Sequence, residues 1–160
     1  MFPTSADQRG QEHFRLVLLT VVGQAFNAAG YTLEEHPTHW AGGLYRFSAP
    51  LREGLRGFID FQHLHYVEPE ASSFSVQLTR TDQLTPSQPS AHPRYARRSL
   101  SALVVADFGV AILPSADHWW RYANVTELGN GLAEAGHLVV GYGIPWLADE
   151  LTPPHGAASG

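Results

Sequence analysis

Cysteine and lysine are both absent from this chain of 160 residues, methionine occurs once, and no apolar run approaches the length of a membrane span. Without cysteine there is no disulfide, no thiolate nucleophile, no zinc–thiolate centre and no iron–sulfur cluster, so a metal would have to be held by His, Asp or Glu. Ten basic residues, all arginine, stand against 15 acidic ones, for a formal charge of −5. The one cationic cluster, Arg94, Arg97 and Arg98, is too sparse to track a phosphate backbone, and nucleic acid is not an expected partner. A membrane span needs roughly 18 or more unbroken apolar residues, and residues 1–10 lack the basic-then-apolar pattern of a leader. A cytoplasmic protein without membrane contact is therefore expected.

What is present points to an ordinary globular core. Apolar residues make up 44% and charged residues 16% of the chain, far from the composition of a disordered segment. A chain of this length buries roughly 70% of its unfolded surface, enough for one domain over residues 1–160.

Periodicity assigns the elements. Phe14, Val17, Leu18, Val21, Val22, Ala25, Phe26 and Ala29 recur every three or four residues, which predicts a helix over about residues 5 to 29. Ser5 with Gln8 fits a capping box, and Gly30 fits the helix stop. Beyond Tyr31 the period falls to two. Tyr45, Phe47 and Ala49, the run Phe58 to Tyr66, and Phe74, Val76 and Leu78 predict three strands of an antiparallel meander, with a further edge strand available at 31–35. Arg52-Glu53-Gly54 and Glu68-Pro69-Glu70 read as its connections. Residues 82–98, rich in Pro and Ser, predict a surface loop, and residues 99–113 fit a helix and a buried strand equally well. Residues 119–123 predict a strand. Asn124 with Glu127 then opens a second helix through Leu128, Leu132, Ala135, Val139 and Tyr142, with Gly143 as its stop. Residues 152–160 predict a frayed tail. The fold class expected is α+β, an antiparallel sheet of four to five strands packed on one face by an N-terminal and a C-terminal helix. The other sheet face is expected to stay open.

The block His118-Trp119-Trp120-Arg121-Tyr122, the helix after it, and Gly143-Ile144-Pro145-Trp146-Leu147 resemble the ending of the 4304 family of domains of unknown function. The order of long helix, meander, variable loop, Trp-Trp strand and closing helix is similar to that family across most of the chain. The resemblance implies a small bacterial α+β domain and supplies no catalytic residues.

Two readings of function follow. His63 and His65 lie two apart in a strand, so both imidazoles project from one face and could share a Zn or other divalent ion, with His39 or His36 and a nearby Glu completing the sphere. The competing reading is that the pair sits on the solvated face or donates hydrogen bonds across the sheet. Serines lack a nucleophile-elbow context, and Gly129-Asn130-Gly131 and Gly141-Tyr142-Gly143 fall within a helix rather than between a strand and a helix, so hydrolase and phosphate-loop chemistries are not expected. The aromatics offer the other reading. Trp119 and Trp120 must face opposite sides of a strand, and Trp120, Tyr122 and Trp40 are the candidate binding residues. The leading expectation is a non-enzymatic module that holds a protein partner or a second copy of itself on the open sheet face. A metal-dependent enzyme on His63, His65 and His39 is the alternative.

Overall fold

A computed structural model describes residues 6–64 and 72–154, with side chains from residue 9 onward. Ser5, His65, the connection at 68–70 and the end of the tail lie outside the described residues.

Helix α1 spans Ala6–Ala28. Phe14, Leu18, Val22 and Phe26 form its buried stripe, while Leu16 stays 60% exposed on the far side. The helix ends as its sequence requires: Gly30 N–H bonds to Asn27 O at 3.0 Å and Tyr31 N–H to Phe26 O at 2.9 Å, a Schellman arrangement with Tyr31 and Phe26 both in the core. Strand β1 (Thr32–Leu33), the short helix α2 (Pro37–Ala41) and strands β2 (Leu44–Pro50), β3 (Arg56–Leu64), β4 (Ser73–Thr81) and β5 (Ala96–Ser99) follow. They form one antiparallel sheet in the order β1-β2-β3-β4-β5, and β6 (Trp120–Arg121) also pairs with β4. The sheet thus has six strands, two of them only two residues long. Strand β5 claims Ala96–Arg98 from the segment expected as loop, because these residues pair with the outer edge of β4 opposite Leu78, Thr79 and Arg80.

Register sets the two faces. Tyr45 lies opposite Phe61, Phe47 opposite Ile59, and Ile59 and Phe61 opposite Leu78 and Val76. These side chains, with Phe74 and Trp120, join the α1 stripe in the core. The ambiguous stretch after β5 is neither a strand nor an ordinary helix. It makes a wide π-helical turn over Ala102–Asp107 that buries Ala102, Leu103 and Val104.

Helix α3 spans Val125–Leu138 and opens as its sequence predicts. The Asn124 side chain accepts from Glu127 N–H at 2.9 Å, and Glu127 Oε1 accepts from Ala123 N–H at 2.8 Å. Gly143 does not stop the helix. It keeps helical dihedrals of −67° and −53°, and the chain runs through a π-helical turn, Val139–Gly143, into helix α4, Ile144–Leu147. Two causes are visible. Pro145 has no N–H, and its ring would crowd the carbonyl four residues back, so the helix widens there. Leu147 is buried and Gly143 packs on Leu78 of β4, so continuing the helix gains core contact. Pro153, in the stretch expected to fray, is buried.

Candidate functional site

Gln11 lies three residues before Phe14, so it extends the buried stripe of α1 by one turn with a polar side chain, and it is buried. A buried amide needs partners. It finds them on the sheet: His63 of β3, 1% exposed, places Nδ1 2.9 Å from Gln11 Oε1, and the Tyr45 hydroxyl of β2 donates to Gln11 at 2.8 Å to the backbone oxygen or 2.9 Å to Oε1. A carbonyl oxygen can only accept, so His63 carries its proton on Nδ1. Its Nε2 is then an acceptor, and the Tyr122 hydroxyl donates to it at 2.5 Å. Phe14 lies flat on the imidazole, ring centroids 4.0 Å apart and planes within 11°. The chain Tyr45–Gln11–His63–Tyr122 is thus a continuous hydrogen-bonded network inside the core. Burial pushes the Tyr45 hydroxyl upward and the Tyr122 hydroxyl from 10.0 to about 12, with a hydrogen bond from Ser72 pulling the latter the other way. Both phenols are held protonated.

Helix α2 closes a cleft over one end of this network. Pro37 stands in its first turn, where its missing N–H costs nothing. Gly43, after the helix, has φ of 84°, and a Cβ there would come 2.1 Å from His63 O. Only glycine permits that approach. His63 N–H bonds to Gly43 O at 2.7 Å, which fixes α2 beside β3. Trp40 thereby lies nearly parallel to Tyr45, centroids 6.4 Å apart, and the Arg15 guanidinium sits over the indole at 4.5 Å. The resulting cleft encloses about 300 Å³, with Gln11, Glu12 and Arg15 from α1, Pro37, Trp40 and Ala41 from α2, and Tyr45 behind them. Gln11 and Tyr45 therefore belong both to its wall and to the buried network.

Two further polar assemblies hold their charged groups in bonds within the protein. On the helix-free face of the sheet, Arg46 and Asp60 stand directly opposite each other in β2 and β3 and form a buried bidentate pair at 2.8 and 3.0 Å. Burial pushes the Asp60 carboxyl up, against the pull of the Arg46 guanidinium. Phe58, with the Arg46 and Arg56 guanidinium groups 5.7 and 5.8 Å from its ring centroid, is fully buried. At the opposite end of the sheet, a hollow of about 140 Å³ contains Arg80 and Arg94. Arg94 is bonded to Asp149, and Arg80 donates to the Trp146 carbonyl at 2.9 Å and to Arg94 O at 2.7 Å.

The residues singled out from sequence separate as follows. Trp40 lines the cleft and Tyr122 ends the network, so these two are joined through Tyr45, Gln11 and His63. Trp120 is 5% exposed, stacked on Phe74 at 5.3 Å, with its indole N–H donating to Glu134 at 2.8 Å; it is packing between β4, β6 and α3. His118 meets it edge-on at 4.6 Å, and burial lowers the His118 pKa, with Glu134 opposing. His63 has both ring nitrogens engaged. His39 sits in α2 with its ring 4.7 Å from that of His36, and His36 in turn meets Glu34 at 3.2 Å. Among the described residues no three His, Asp or Glu side chains converge on a point a metal could occupy. Gln11, Glu12, Arg15 and Tyr45 were missed; the signal was Gln11 itself, a polar residue in phase with an apolar stripe.

Compared with protein-family models, with curated proteins and with solved structures, the chain matches none. Among the described residues no helix is long and apolar enough to cross a membrane.

Proposed function

We propose that this chain is a non-enzymatic binding module and that it binds in the cleft between α1, α2 and β2. The observation that carries this reading is the cleft itself: about 300 Å³ of space lined by a near-parallel indole and phenol, with a guanidinium over the indole. That is the lower end of the size range of small-molecule sites, roughly 300–1,000 Å³, which combine apolar walls with a few placed polar groups. The network behind it supports binding rather than proton chemistry. Its two phenols are kept neutral by burial, so it serves as a rigid wall.

The helix-free sheet face is the weaker surface for a protein partner or a second copy. Its centre is a satisfied ion pair, and the exposed large apolar side chains, Leu16, Leu84, Tyr95, Ile112, Val125 and Val140, lie on helices, turns and loops. A metal-dependent enzyme would need His63 to give up Gln11 or Tyr122. Titration with indole as a neutral aromatic probe, followed by heteronuclear NMR, tests the reading. Shifts at the Trp40 indole N–H and the Gln11 side-chain amide are expected. Shifts confined to Arg46, Phe58 and Asp60, or none at all, would overturn it.

A further inference from the structure

Among the described residues, the cleft carries one cation and one anion, and neither is in an ion pair. Glu12 and Arg15 are three residues apart on α1, a spacing that puts both on one side of a helix with Cβ atoms about 5–6 Å apart. They do not bridge each other. Arg15 lies over Trp40 instead, and Glu12 is exposed at the rim. Both charges act on the Tyr45 hydroxyl at the back of the cleft, Arg15 favouring its ionised form and Glu12 opposing it, so both fields reach the enclosed space. A guanidinium held over an indole has committed one face to the ring and keeps its in-plane N–H donors for a carboxylate.

Charge complementarity then selects among small ligands. A simple aromatic carboxylate would meet Arg15 but be repelled by Glu12, and a simple aromatic amine would meet the reverse. A molecule carrying a carboxylate and an ammonium on one carbon can address both, while its side chain lies among Trp40, Pro37, Ala41 and Tyr45. The volume admits one ring of this kind and leaves little room for a nucleotide or a longer peptide. We propose that the cleft binds a free α-amino acid with an aromatic side chain, its carboxylate on Arg15, its ammonium on Glu12 and its ring against Trp40. This rests on the cleft being the binding site.

The test is a calorimetric titration of the full chain with phenylalanine, phenethylamine and hydrocinnamate, alongside the indole titration above. Charge-assisted hydrogen bonds of this type change affinity by roughly tenfold or more. Phenylalanine is therefore expected to bind at least about tenfold more tightly than either analogue. Arg15→Gln should remove that advantage over phenethylamine, and Glu12→Gln the advantage over hydrocinnamate. Both variants retain good helix formers at surface positions of α1, and circular dichroism verifies that they fold. Either analogue matching phenylalanine, or either variant binding phenylalanine as well as the parent, overturns the amino-acid assignment while indole shifts at Trp40 keep the cleft as a binding site. Absence of both phenylalanine and indole binding overturns the two together.

Discussion

The same substitution at two glycines of α3 should change stability in opposite directions. Gly129 and Gly136 both lie inside the helix, where glycine costs about 1 kcal/mol relative to alanine. A Cβ added at Gly129 meets nothing within 4 Å, so Gly129→Ala should recover most of that amount and raise Tm by roughly 2–4 °C for a domain of this size. At Gly136 the added Cβ would stand 2.8 Å from Val22 Cγ1 of α1. Valine in a helix is held in one rotamer, and Val22 is buried, so the methyl cannot swing aside. Relief requires α1 and α3 to separate, an overpacking cost of about 1–3 kcal/mol. The net expectation for Gly136→Ala is a loss of up to about 2 kcal/mol after the helix-propensity gain is subtracted. A double-mutant cycle isolates the clash: in a Val22→Ala background, Gly136→Ala should become neutral or stabilising, a coupling of about 1–3 kcal/mol. Urea denaturation of the parent and the four variants gives the numbers. If Gly136→Ala stabilises as much as Gly129→Ala, or behaves identically in both backgrounds, the close docking of α1 on α3 is wrong, and with it the placement of the α1 residues of the cleft.

Three further expectations follow from the polar interior. Tyr122→Phe removes the donor to buried His63 Nε2 and should cost about 1–3 kcal/mol in denaturant unfolding, whereas an unchanged midpoint would mean the bond is absent in solution. Asp60→Ala leaves the Arg46 guanidinium buried without its partner and should cost about 3–5 kcal/mol, while Arg46→Met with Asp60→Leu should cost far less, so additive single effects would refute the pair. Tyr31, Tyr45 and Tyr122 are pushed up by burial, Tyr122 to about 12. Because the folded values lie above the unfolded one, their contribution to stability is intact below pH 10 and is lost as pH rises through the folded values, for Tyr122 between about 10 and about 12. Phenolate absorbance should therefore show three of the six tyrosines ionising late and together with loss of the circular dichroism signal; early ionisation of all six would contradict this.

The site was partly legible before the fold. Trp40, Tyr122 and His63 stood out as residue types, yet their connection did not, because the network joins positions 11, 45 and 63 of three elements with position 122 just after β6 and no spacing rule links them. The short helix α2 escaped notice because five residues are too few for a periodic signal. Arg15 carries no signal of its own in the sequence; only α2 places an indole beneath it.

The amino-acid order by itself determined where α1 and α3 begin or end, through Gly30, Asn124 and Glu127, and which strand residues face the helices, because an alternation of period two admits one assignment of faces. Those are local effects, decided by dihedral preference and by hydrogen bonds a few residues long. The continuation of the last helix through Gly143, the strand made of Ala96–Ser99 and the cleft were decided only by tertiary structure. Each depends on what lies across the gap: Leu78 for Gly143, the unpaired edge of β4 for Ala96–Ser99, and Tyr45 with Gln11 for Trp40. Packing free energies of a few kcal/mol exceed the roughly 1 kcal/mol that local propensity can assert, so at these places the partner, not the segment, chose the structure.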